Sequence, residues 1–286
     1  MGTEQQCAPP TVLITGTSTG IGEVCALALE RMGYQVFAGV RREEDGVALA
    51  QKASGRLTWL LLDVTDACSI EAAVRTVAAL VGEKGLCGLV NNAGVSSIGP
   101  LEFLPIADLR RLLEVNVIGQ LAVTQAFLPL LRQARGRIIN IGSISGRLAL
   151  PFGGAYSASK FAVEALTDEL RLELHPWGLH VAIVEPGGIA TPLWEKSMVM
   201  ADRLPEQTRD YYGAAFPMLR ALAARWGKQG TAPDEVAQVV IHALTARRPK
   251  ARYFVGCRAG LGARLLSHLP DRVRDRLIAS QLVKYA

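Results

Sequence analysis

A tyrosine and a lysine four residues apart, Tyr156 and Lys160, have the types and spacing of an acid–base pair. Four residues make about one helical turn, so the phenol and the ammonium would share a face. Bringing a tyrosine pKa from ~10 to the operating pH takes about 4 kcal/mol. A cation ~4 Å away supplies that energy where the effective dielectric constant is near 20. The spacing therefore predicts a partly desolvated site in which Lys160 lowers the pKa of Tyr156, although without other motifs it is more typical of a solvated pair.

A glycine-rich loop lies between the first predicted strand, Thr11–Thr15, and a helical pattern. Glycines let the backbone turn sharply and approach a pyrophosphate without a Cβ in the way. The helix that follows presents free N–H groups and a positive dipole end to the phosphates. A glycine triplet alone suits any tight turn, but this position predicts a dinucleotide site. The loop residues are Gly16, Thr17, Ser18, Thr19, Gly20, Ile21 and Gly22.

The end of the second predicted strand bears on the choice between NAD and NADP. A carboxylate there would accept hydrogen bonds from the ribose 2′-hydroxyl, whereas a guanidinium would pair with a 2′-phosphate. The strand end has no acid, and Arg41 and Arg42 follow it directly. NADP is therefore the predicted cofactor. In the alternative interpretation the two arginines are loop cations that face the acids at 43–45.

The elements that position these residues follow a βαβ rhythm. The predicted strands are nearly all apolar, as in a parallel sheet buried on both faces, and helical segments separate them. We therefore predict an α/β protein: one Rossmann domain over residues 1–286, with a doubly wound, seven-stranded parallel sheet between two layers of helices. The predicted strands are Thr11–Thr15, Gln35–Val40, Leu57–Asp63, Leu86–Asn91, Arg137–Ile141, His180–Glu185 and Arg252–Val255.

Residues 192–231 depart from this rhythm. They form no clear strand and are rich in methionine and aromatic residues. An excursion of this length is usually functional, and its composition suits an adaptable apolar cover. We predict a substrate-binding lid that favours a lipophilic substrate. In the alternative interpretation these residues only pack two helices onto the domain.

Composition excludes several functional classes. The net charge of +5 over 286 residues is too small for a dedicated nucleic-acid binder. The N-terminus lacks a secretory signal pattern and no run reaches ~18 uninterrupted apolar residues, so we expect a cytoplasmic protein. The cysteines form neither a disulfide framework nor a metal site, so we expect no bound metal and interpret them as small buried side chains. They are Cys7, Cys25, Cys68, Cys87 and Cys257.

The C-terminal part is basic and weakly amphipathic. Interleaved leucines would allow weak peripheral contact with an anionic membrane surface. A solvated face or a subunit contact is the more common use of such a pattern. The basic residues are Arg247, Arg248, Lys250, Arg252, Arg258, Arg264, Arg272, Arg274 and Arg276.

Together the motifs resemble the short-chain dehydrogenase/reductase family, from Thr11 to about Thr191 and more loosely to the C-terminus. The family's TGxxxGxG motif is present as Thr15–Gly22. Its NNAG motif and its catalytic residues also have counterparts. These are Asn91-Asn92-Ala93-Gly94, Asn116, Ser143, Tyr156, Lys160, Pro186-Gly187 and Thr191.

The resemblance implies a role for each matching residue. Tyr156 would be the general acid or base, and Ser143 would hold the substrate oxygen and steady Tyr156. Lys160 would lower the tyrosine pKa and bind the nicotinamide ribose, and Asn116 would anchor a proton-relaying water. Asp63 would contact adenine and Asn91 the adenosine ribose side. The implied cofactor contacts beyond the loop are Arg41, Arg42, Asp63, Val64, Asn91, Ala93, Gly94, Tyr156, Lys160, Pro186, Gly187, Ile189 and Thr191.

The segment around Tyr156 and the end of the chain look most like the hydroxysteroid and retinol dehydrogenase branch. The resemblance implies hydride transfer between NADP and a carbonyl or alcohol carbon of a steroid, a retinoid or a long-chain aldehyde or ketone. Thr19 stands where many NADP-dependent members carry a second basic residue, so use of NAD stays open. Family members mostly pair through two long helices, which implies a homodimer or homotetramer. The alternatives are a reductase of small polar ketones, a nucleotide-sugar enzyme, and an NADP-binding sensor or scaffold without turnover.

Overall fold

The computed structural model describes residues 9–256 and 265–282. Its seven strands form one parallel sheet in the order β3-β2-β1-β4-β5-β6-β7. This confirms the predicted seven-stranded doubly wound sheet. The strands are β1 Thr11–Thr15, β2 Gln35–Val40, β3 Leu57–Leu61, β4 Gly88–Asn91, β5 Arg137–Ile141, β6 His180–Pro186 and β7 Arg252–Val255.

Two predicted strands are longer than the observed ones because their end residues bond outside the sheet ladder. The Leu86 amide donates to the carbonyl of Leu130 in a helix, and the Cys87 amide donates to the Thr11 hydroxyl. β4 therefore begins only at Gly88. At the end of β3, the Asp63 amide donates to the Ser69 hydroxyl, which turns the chain out of the strand.

Helices cover both faces of the sheet. They are α1 Gly20–Arg31, α2 Glu43–Ala50, α3 Ala67–Val81, α4 Ile106–Leu113, α5 Gln120–Ala134, α6 Gly154–Leu174, α7 Leu193–Ala201, α8 Gln207–Tyr212, α9 Ala215–Gln229, α10 Pro233–Thr245 and α11 Asp271–Leu282. A π-helical turn, Glu114–Gly119, joins α4 to α5.

Successive residues of β1 point into different cores. Leu13 packs with α3, α5 and α6, whereas Val12 and Ile14 pack with α1 and α10. This alternation explains why the strands are apolar throughout. Each large side chain buried in this way, such as Phe127, contributes roughly 1.5–3 kcal/mol. The two cores hold the strand ends, and therefore the loops that follow them, in fixed positions.

The lid segment (192–231) contains α7, α8 and α9 and no strand. It leaves and rejoins the sheet at one point, where an isolated parallel bridge pairs Ile189 with Thr231. The Thr231 amide donates to the Gly188 carbonyl, and the Ala190 amide donates to the Thr231 carbonyl. These bonds place the segment beside the carboxyl end of β6.

One helical run, Ile106–Ala134, has the length and composition to cross a membrane. Its α5 part packs into the core through the fully buried Phe127 and Leu131. This packing is typical of the core helix of a globular domain.

The cysteines only partly follow their predicted burial. Cys25 is fully buried, but Cys68 is exposed at the start of α3 and Cys87 is intermediate. The prediction of burial is therefore wrong for Cys68, because the amphipathic helix turns that position to solvent. Cys7 and Cys257 lie outside the described residues.

The basic C-terminal pattern is only partly described. Arg274 on α11 pairs with Asp271 and Asp275, so its charge is balanced within the helix. Arg252 is engaged in the interior, as described below. Arg258 and Arg264 lie outside the described residues, and membrane contact stays a prediction.

Candidate active site

A cleft of about 540 Å³ opens at the carboxyl ends of the strands, where parallel sheets of this kind bind ligands. Most of the predicted site residues line it. They are Gly16, Ser18, Thr19, Gly20, Ile21, Arg41, Asp63, Val64, Ala93, Gly94, Ser143, Tyr156, Lys160, Pro186, Gly187, Ile189 and Thr191. The predicted residues outside its lining are Thr17, Gly22, Arg42, Asn91 and Asn116.

The glycine loop is built around close backbone approaches. Gly16 has a φ of +67°, and a Cβ there would lie 2.8 Å from the Ala93 Cα. A Cβ on Gly22 would lie 2.3 Å from the Gly16 carbonyl oxygen. Thr17 is buried below the loop, where its amide and hydroxyl both donate to the Gly39 carbonyl at 3.0 Å. Gly22 and Thr17 therefore shape the loop from behind and do not line the cleft.

Helix α1 begins at Gly20 and points its N-terminus at the cleft, which Thr19 and Gly20 line. The Thr19 side chain makes no capping hydrogen bond to the helix, so the first amides keep their donors for a ligand. The loop would cradle an anion through backbone groups that any Cβ at Gly16 would crowd. These residues fit the pyrophosphate of a dinucleotide.

Asn91 does not take its predicted place beside the cofactor. Its side chain is 2% exposed and donates to the Thr124 hydroxyl and the Asn140 carbonyl oxygen, each at 2.9 Å. It thus ties β4 to β5 and α5. The next residue, Asn92, lines the cleft, and its side-chain Nδ2 donates to the Thr15 and Gly16 carbonyls, both at 2.9 Å. Side chains alternate between the two faces of a strand, so Asn92 and not Asn91 lies at the cleft. The two adjacent asparagines of the NNAG motif could have suggested this.

The two arginines after β2 separate. Arg41 lines the cleft. Arg42 is exposed and pairs with Glu44 at 3.2 Å and Asp45 at 3.0 Å. Of the two, only Arg41 thus lines the cleft, and a cofactor contact of Arg42 stays a prediction. Neighbouring acids of its own helix hold that side chain, as the alternative interpretation described.

A second hollow of about 360 Å³ continues the cleft past Arg41 and Asp63 to Arg110 and Arg111. Burial acts to raise the pKa of Asp63. Hydrogen bonds from Thr65 and the charges of Arg41 and Arg111 outweigh it and hold that pKa below its ordinary value. Asp63 is thus a carboxylate near two guanidinium groups. Sequence reasoning missed Arg111, because α4 has no motif that places it at this edge.

Tyr156 and Lys160 lie one turn apart on α6, and both line the cleft. The Lys160 ammonium is 5.7 Å from the centre of the Tyr156 ring and donates to the Ile141 carbonyl at 2.8 Å. Burial lowers the pKa of Lys160 to about 8, while the charge of Glu164 acts to raise it. The lysine is therefore still mainly a cation at neutral pH.

The Tyr156 phenol differs from the sequence-based expectation. Burial raises its pKa to about 12, and an interaction with the Ser143 hydroxyl acts weakly to lower it. Lys160 does not bring the pKa down in the protein alone, because its ammonium is directed at the Ile141 carbonyl. The phenol is thus held as a neutral acid beside a cation. Such a pair can give up a proton once further positive charge or a charged substrate oxygen approaches.

Ser143 follows β5 and begins a short 3₁₀ turn, Ile144–Gly146. Its hydroxyl oxygen accepts a hydrogen bond from the Ser145 amide at 3.1 Å, which sets the direction of the side chain. The residue is nearly buried and lines the cleft beside Tyr156. Ser143 and Tyr156 together offer two hydroxyl groups to one bound oxygen atom.

Asn116 lies in the π-helical turn and does not line the cleft. Its side chain accepts from the Val95 amide at 2.8 Å and donates to the Val95 carbonyl and the Ser159 hydroxyl. The Ser159 hydroxyl in turn donates to the Tyr156 carbonyl at 2.7 Å. These contacts connect a cleft-lining loop to the backbone of Tyr156, so the described role of Asn116 is positioning.

The apolar residues of the lid segment have two roles: some pack the lid helices together and some line the cleft. Trp194 and Trp226 contact each other with ring centres 4.5 Å apart, and the Trp194 indole donates to the Ile189 carbonyl at 2.7 Å. Some apolar lid residues pack the lid helices together, as the alternative interpretation held: Met198, Ala201, Leu219 and Ala223. Leu219 and Ala223 also line the cleft, together with Leu193, Trp194, Val199, Met200, Leu222 and Trp226.

Comparison with known proteins agrees with this geometry. Residues 10–201 match the family model described as short chain dehydrogenase. The chain belongs to the short-chain dehydrogenase family. It is 42% identical to retinol dehydrogenase 5 of Mus musculus over 93% of this chain and 87% of that protein. It is 39% identical to 17-beta-hydroxysteroid dehydrogenase type 6 of Rattus norvegicus over 94% of this chain and 87% of that protein.

A solved short-chain dehydrogenase from Burkholderia cenocepacia, in complex with NADP, shares the fold at a TM-score of 0.72 and 27% identity. The match covers 94% of this chain and 97% of that one. The predicted family and its hydroxysteroid and retinol dehydrogenase branch are thereby confirmed. As a short-chain dehydrogenase, the protein is an oxidoreductase that acts on alcohol or carbonyl groups.

In this short-chain dehydrogenase a buried charge cluster lies behind the catalytic helix. Arg252 pairs with Glu164, with Glu185 at 2.7 Å and with Asp168 at 3.0 Å, and Arg147 pairs with Glu164 at 3.1 Å. Burial and the nearby Glu185 raise the pKa of Glu164 to about 7. Sequence reasoning missed the cluster, although a glutamate within the apolar strand β6 was a signal for it. The cluster joins α6, β6 and β7 to the turn after Ser143.

Proposed function

We propose that this protein is an NADP-preferring oxidoreductase. It would transfer a hydride between the nicotinamide and a carbonyl or alcohol carbon of a lipophilic substrate: a steroid, a retinoid, or a long-chain aldehyde or ketone. The observation that carries the cofactor preference is Arg41, which lines the cleft at a β2 end that has no acid. A guanidinium there suits a 2′-phosphate, whereas NAD-specific sites place a carboxylate there.

The adenine end of the cleft supports NADP further. The charges of Arg41 and Arg111 hold the pKa of Asp63 below its ordinary value. The hollow at that end is lined by three arginines, Arg41, Arg110 and Arg111, against two acids, Asp63 and Glu114, which leaves an excess of positive charge. A 2′-phosphate carries close to two negative charges near neutral pH, as phosphate monoesters do. The solved relative from Burkholderia cenocepacia binds NADP. Thr19 adds no second cation in the loop, so NAD would be a weaker, alternative cofactor.

The chemistry would run through residues of one face of the cleft. In carbonyl reduction the nicotinamide supplies the hydride that adds to the carbonyl carbon. The Tyr156 phenol gives its proton to the carbonyl oxygen, whose C=O π electrons form the new O–H bond. Ser143 donates a hydrogen bond to the same oxygen, and the Lys160 ammonium stabilises the phenolate that remains. In alcohol oxidation each step is reversed.

Asn116 would serve this chemistry as a positioning residue. Through Ser159 it holds the Tyr156 backbone, and through Val95 it holds the loop after Gly94. The buried charge cluster holds α6 further along, through Glu164. The helix that carries the phenol is therefore held by two polar networks, which limits the reorganisation that the reaction requires.

The substrate class rests on the lid and the relatives. The lid lines the cleft with two tryptophans and several aliphatic side chains, which suit a lipophilic molecule. The relatives named above are a retinol dehydrogenase and a hydroxysteroid dehydrogenase. Met198 and Ala201 pack the lid helices together without lining the cleft, and they take up only part of the apolar surface of the lid.

The test is oxidation of NADPH and of NADH at 340 nm with a panel of retinal, steroid ketones, long-chain aldehydes and small polar ketones. We expect turnover of the lipophilic members, faster with NADPH. Turnover of small polar ketones alone would contradict the substrate class and keep the chemistry. Cofactor binding without turnover of any compound would support the sensor or scaffold alternative.

We also propose that the protein forms a homodimer or homotetramer, is cytoplasmic and makes at most weak membrane contact. Phe161 and Leu172 on α6 are 45% and 64% exposed, which suits an association surface. Light scattering after gel filtration tests the assembly, and a monomer would contradict it. Removal of residues 258–286 should abolish co-sedimentation with anionic liposomes if the C-terminal contact exists, and equal sedimentation of both forms would contradict it.

A further inference from the structure

One face of α7 brings positive charge to the substrate half of the cleft. Leu193, Lys196, Met200 and Arg203, spaced three or four residues apart from the start of α7 to just past its end, all line the cleft. This spacing places them on one side of the helix. The acids of the same segment, Glu195 and Asp202, do not line the cleft. The helix thus separates its charges, with cations toward the cleft.

Neither cation is neutralised by the part of the protein that the structure describes. Arg220 pairs with Asp202, the acid next to Arg203. Among residues 9–256 and 265–282, however, the side chains of Lys196 and Arg203 form no ion pair or hydrogen bond. The acids that line the described cleft are Asp63, near Arg41 and Arg111, and Asp108 on α4. Neither pairs with the two cations.

Lys196 and Arg203 lie among apolar residues of the lid, and this combination indicates the kind of ligand that suits them. Val199 and Met200 line the cleft between them, and Trp194 and Leu222 line it close by. A neutral lipophile would gain only apolar burial there and nothing from the two charges. An anionic group on the same lipophile would gain charge-assisted hydrogen bonds as well. Lys196 lies within α7 and Arg203 just past its end, so together they cover a range of anion positions along the cleft.

We propose that the substrate is an amphipathic molecule: a lipophilic aldehyde, ketone or alcohol with an anionic group, such as a carboxylate, that Lys196 and Arg203 bind. The inference rests on the proposed function and narrows its substrate class. The same anionic chemistry occurs in the phosphates of the dinucleotide. The experiment therefore measures cofactor binding separately from substrate use.

The test compares a long-chain aldehyde that ends in a carboxylate, 16-oxohexadecanoic acid, with its methyl ester. Both are reduced with saturating NADPH, and kcat/KM is measured for each. We expect the acid to be preferred by roughly fivefold, the scale of an exposed ion pair. The preference should shrink as salt is raised, because screening weakens exposed charge pairs. In Lys196→Gln/Arg203→Gln the preference should fall to about one.

The matched control is Arg209→Gln, which removes an exposed cation of the same lid that does not line the cleft. It should keep the wild-type preference for the acid. Equal use of acid and ester by the wild type would overturn the proposal, as would an unchanged preference in the double variant. A double variant that binds NADPH more weakly in a fluorescence titration, and loses acid and ester equally, would assign the cations to the cofactor and also overturn it.

Failure of the proposed function gives a different result. In that case neither the acid nor the ester, nor any compound of the panel described above, would be turned over with NADPH. Turnover of the ester without a preference for the acid would leave the proposed function standing and contradict this inference alone.

Discussion

The two halves of the cleft are built differently. In the cofactor half, around Gly16–Gly22, backbone atoms lie in direct contact with one another. A Cβ on Gly22 would lie 2.3 Å from the Gly16 carbonyl oxygen. In the lid, α7 and α9 pack through side chains. Gly227 within α9, unlike Gly213 and Gly230 at the helix ends, has nothing within 4 Å of an added Cβ. The first half can accept few substitutions. The second half can change its side chains to suit a substrate without disturbing the hydride-transfer site.

The largest effect should come from substitution of Tyr156, the proposed general acid. Tyr156→Phe removes the acid and leaves the ring packing, so turnover should fall at least ~10²-fold. NADPH affinity, measured by fluorescence titration, should be kept, because the lost hydroxyl acts on the substrate oxygen. Near wild-type turnover would show that another group carries the proton.

A pair of glycine substitutions tests the contrast directly. Gly22→Ala forces a carbon against the Gly16 carbonyl, and such overpacking typically costs about 1–3 kcal/mol of unfolding free energy. Gly227→Ala adds a methyl group to an open helical position and should stabilise the protein by up to ~1 kcal/mol. Urea unfolding of both variants measures the difference. Similar effects at the two positions would remove the contrast between the halves.

Arg41→Ala should weaken NADPH binding about tenfold or more and NADH binding little, because only NADPH carries the 2′-phosphate. Arg42→Ala is the matched control, since its side chain pairs with Glu44 and Asp45 outside the cleft. Titration of both cofactors against both variants gives the comparison. Equal losses for NADPH and NADH in Arg41→Ala would contradict the 2′-phosphate role.

The smallest effect should be a shift in pH dependence. Activity that needs the Lys160 cation is lost as pH rises through its pKa of about 8. The charge of Glu164 raises that pKa, so Glu164→Gln should move the alkaline limb of the kcat profile to lower pH. Asp168→Asn, which contacts Arg252 in the same cluster, should leave the limb in place. A limb that moves equally in both variants would indicate a general structural effect.

Local patterns predicted the scaffold closely. β1, β2, β5 and β7 have their predicted bounds, because apolar runs between turn signals report burial on both faces. The error at β4 arose where an amide bonds to a partner distant in the sequence, as Leu86 does to Leu130, and the error at β3 arose where Asp63 bonds to Ser69 in the next helix. The motifs also brought Ser143, Tyr156 and Lys160 to one cleft.

Tertiary contacts changed the details of the site. Asn91 turned into the core and Asn92 toward the cleft, Arg42 joined the acids of its own helix, and Asn116 became a link to the Tyr156 backbone. None of these differences changes which motifs the sequence contains. They depend on which face of a strand or helix meets its neighbour, and that is decided by packing.

By itself the sequence determined the family and the sheet and predicted the candidate catalytic residues, because glycine loops, strand runs and the Tyr156–Lys160 spacing are local and each follows from backbone geometry. Only the tertiary structure decided that Arg111 approaches Asp63, that a charge cluster supports α6, and that Lys196 and Arg203 line the cleft. The physical reason is that these charges come from segments far apart in the chain, and their energies depend on burial and distance, which exist only after folding.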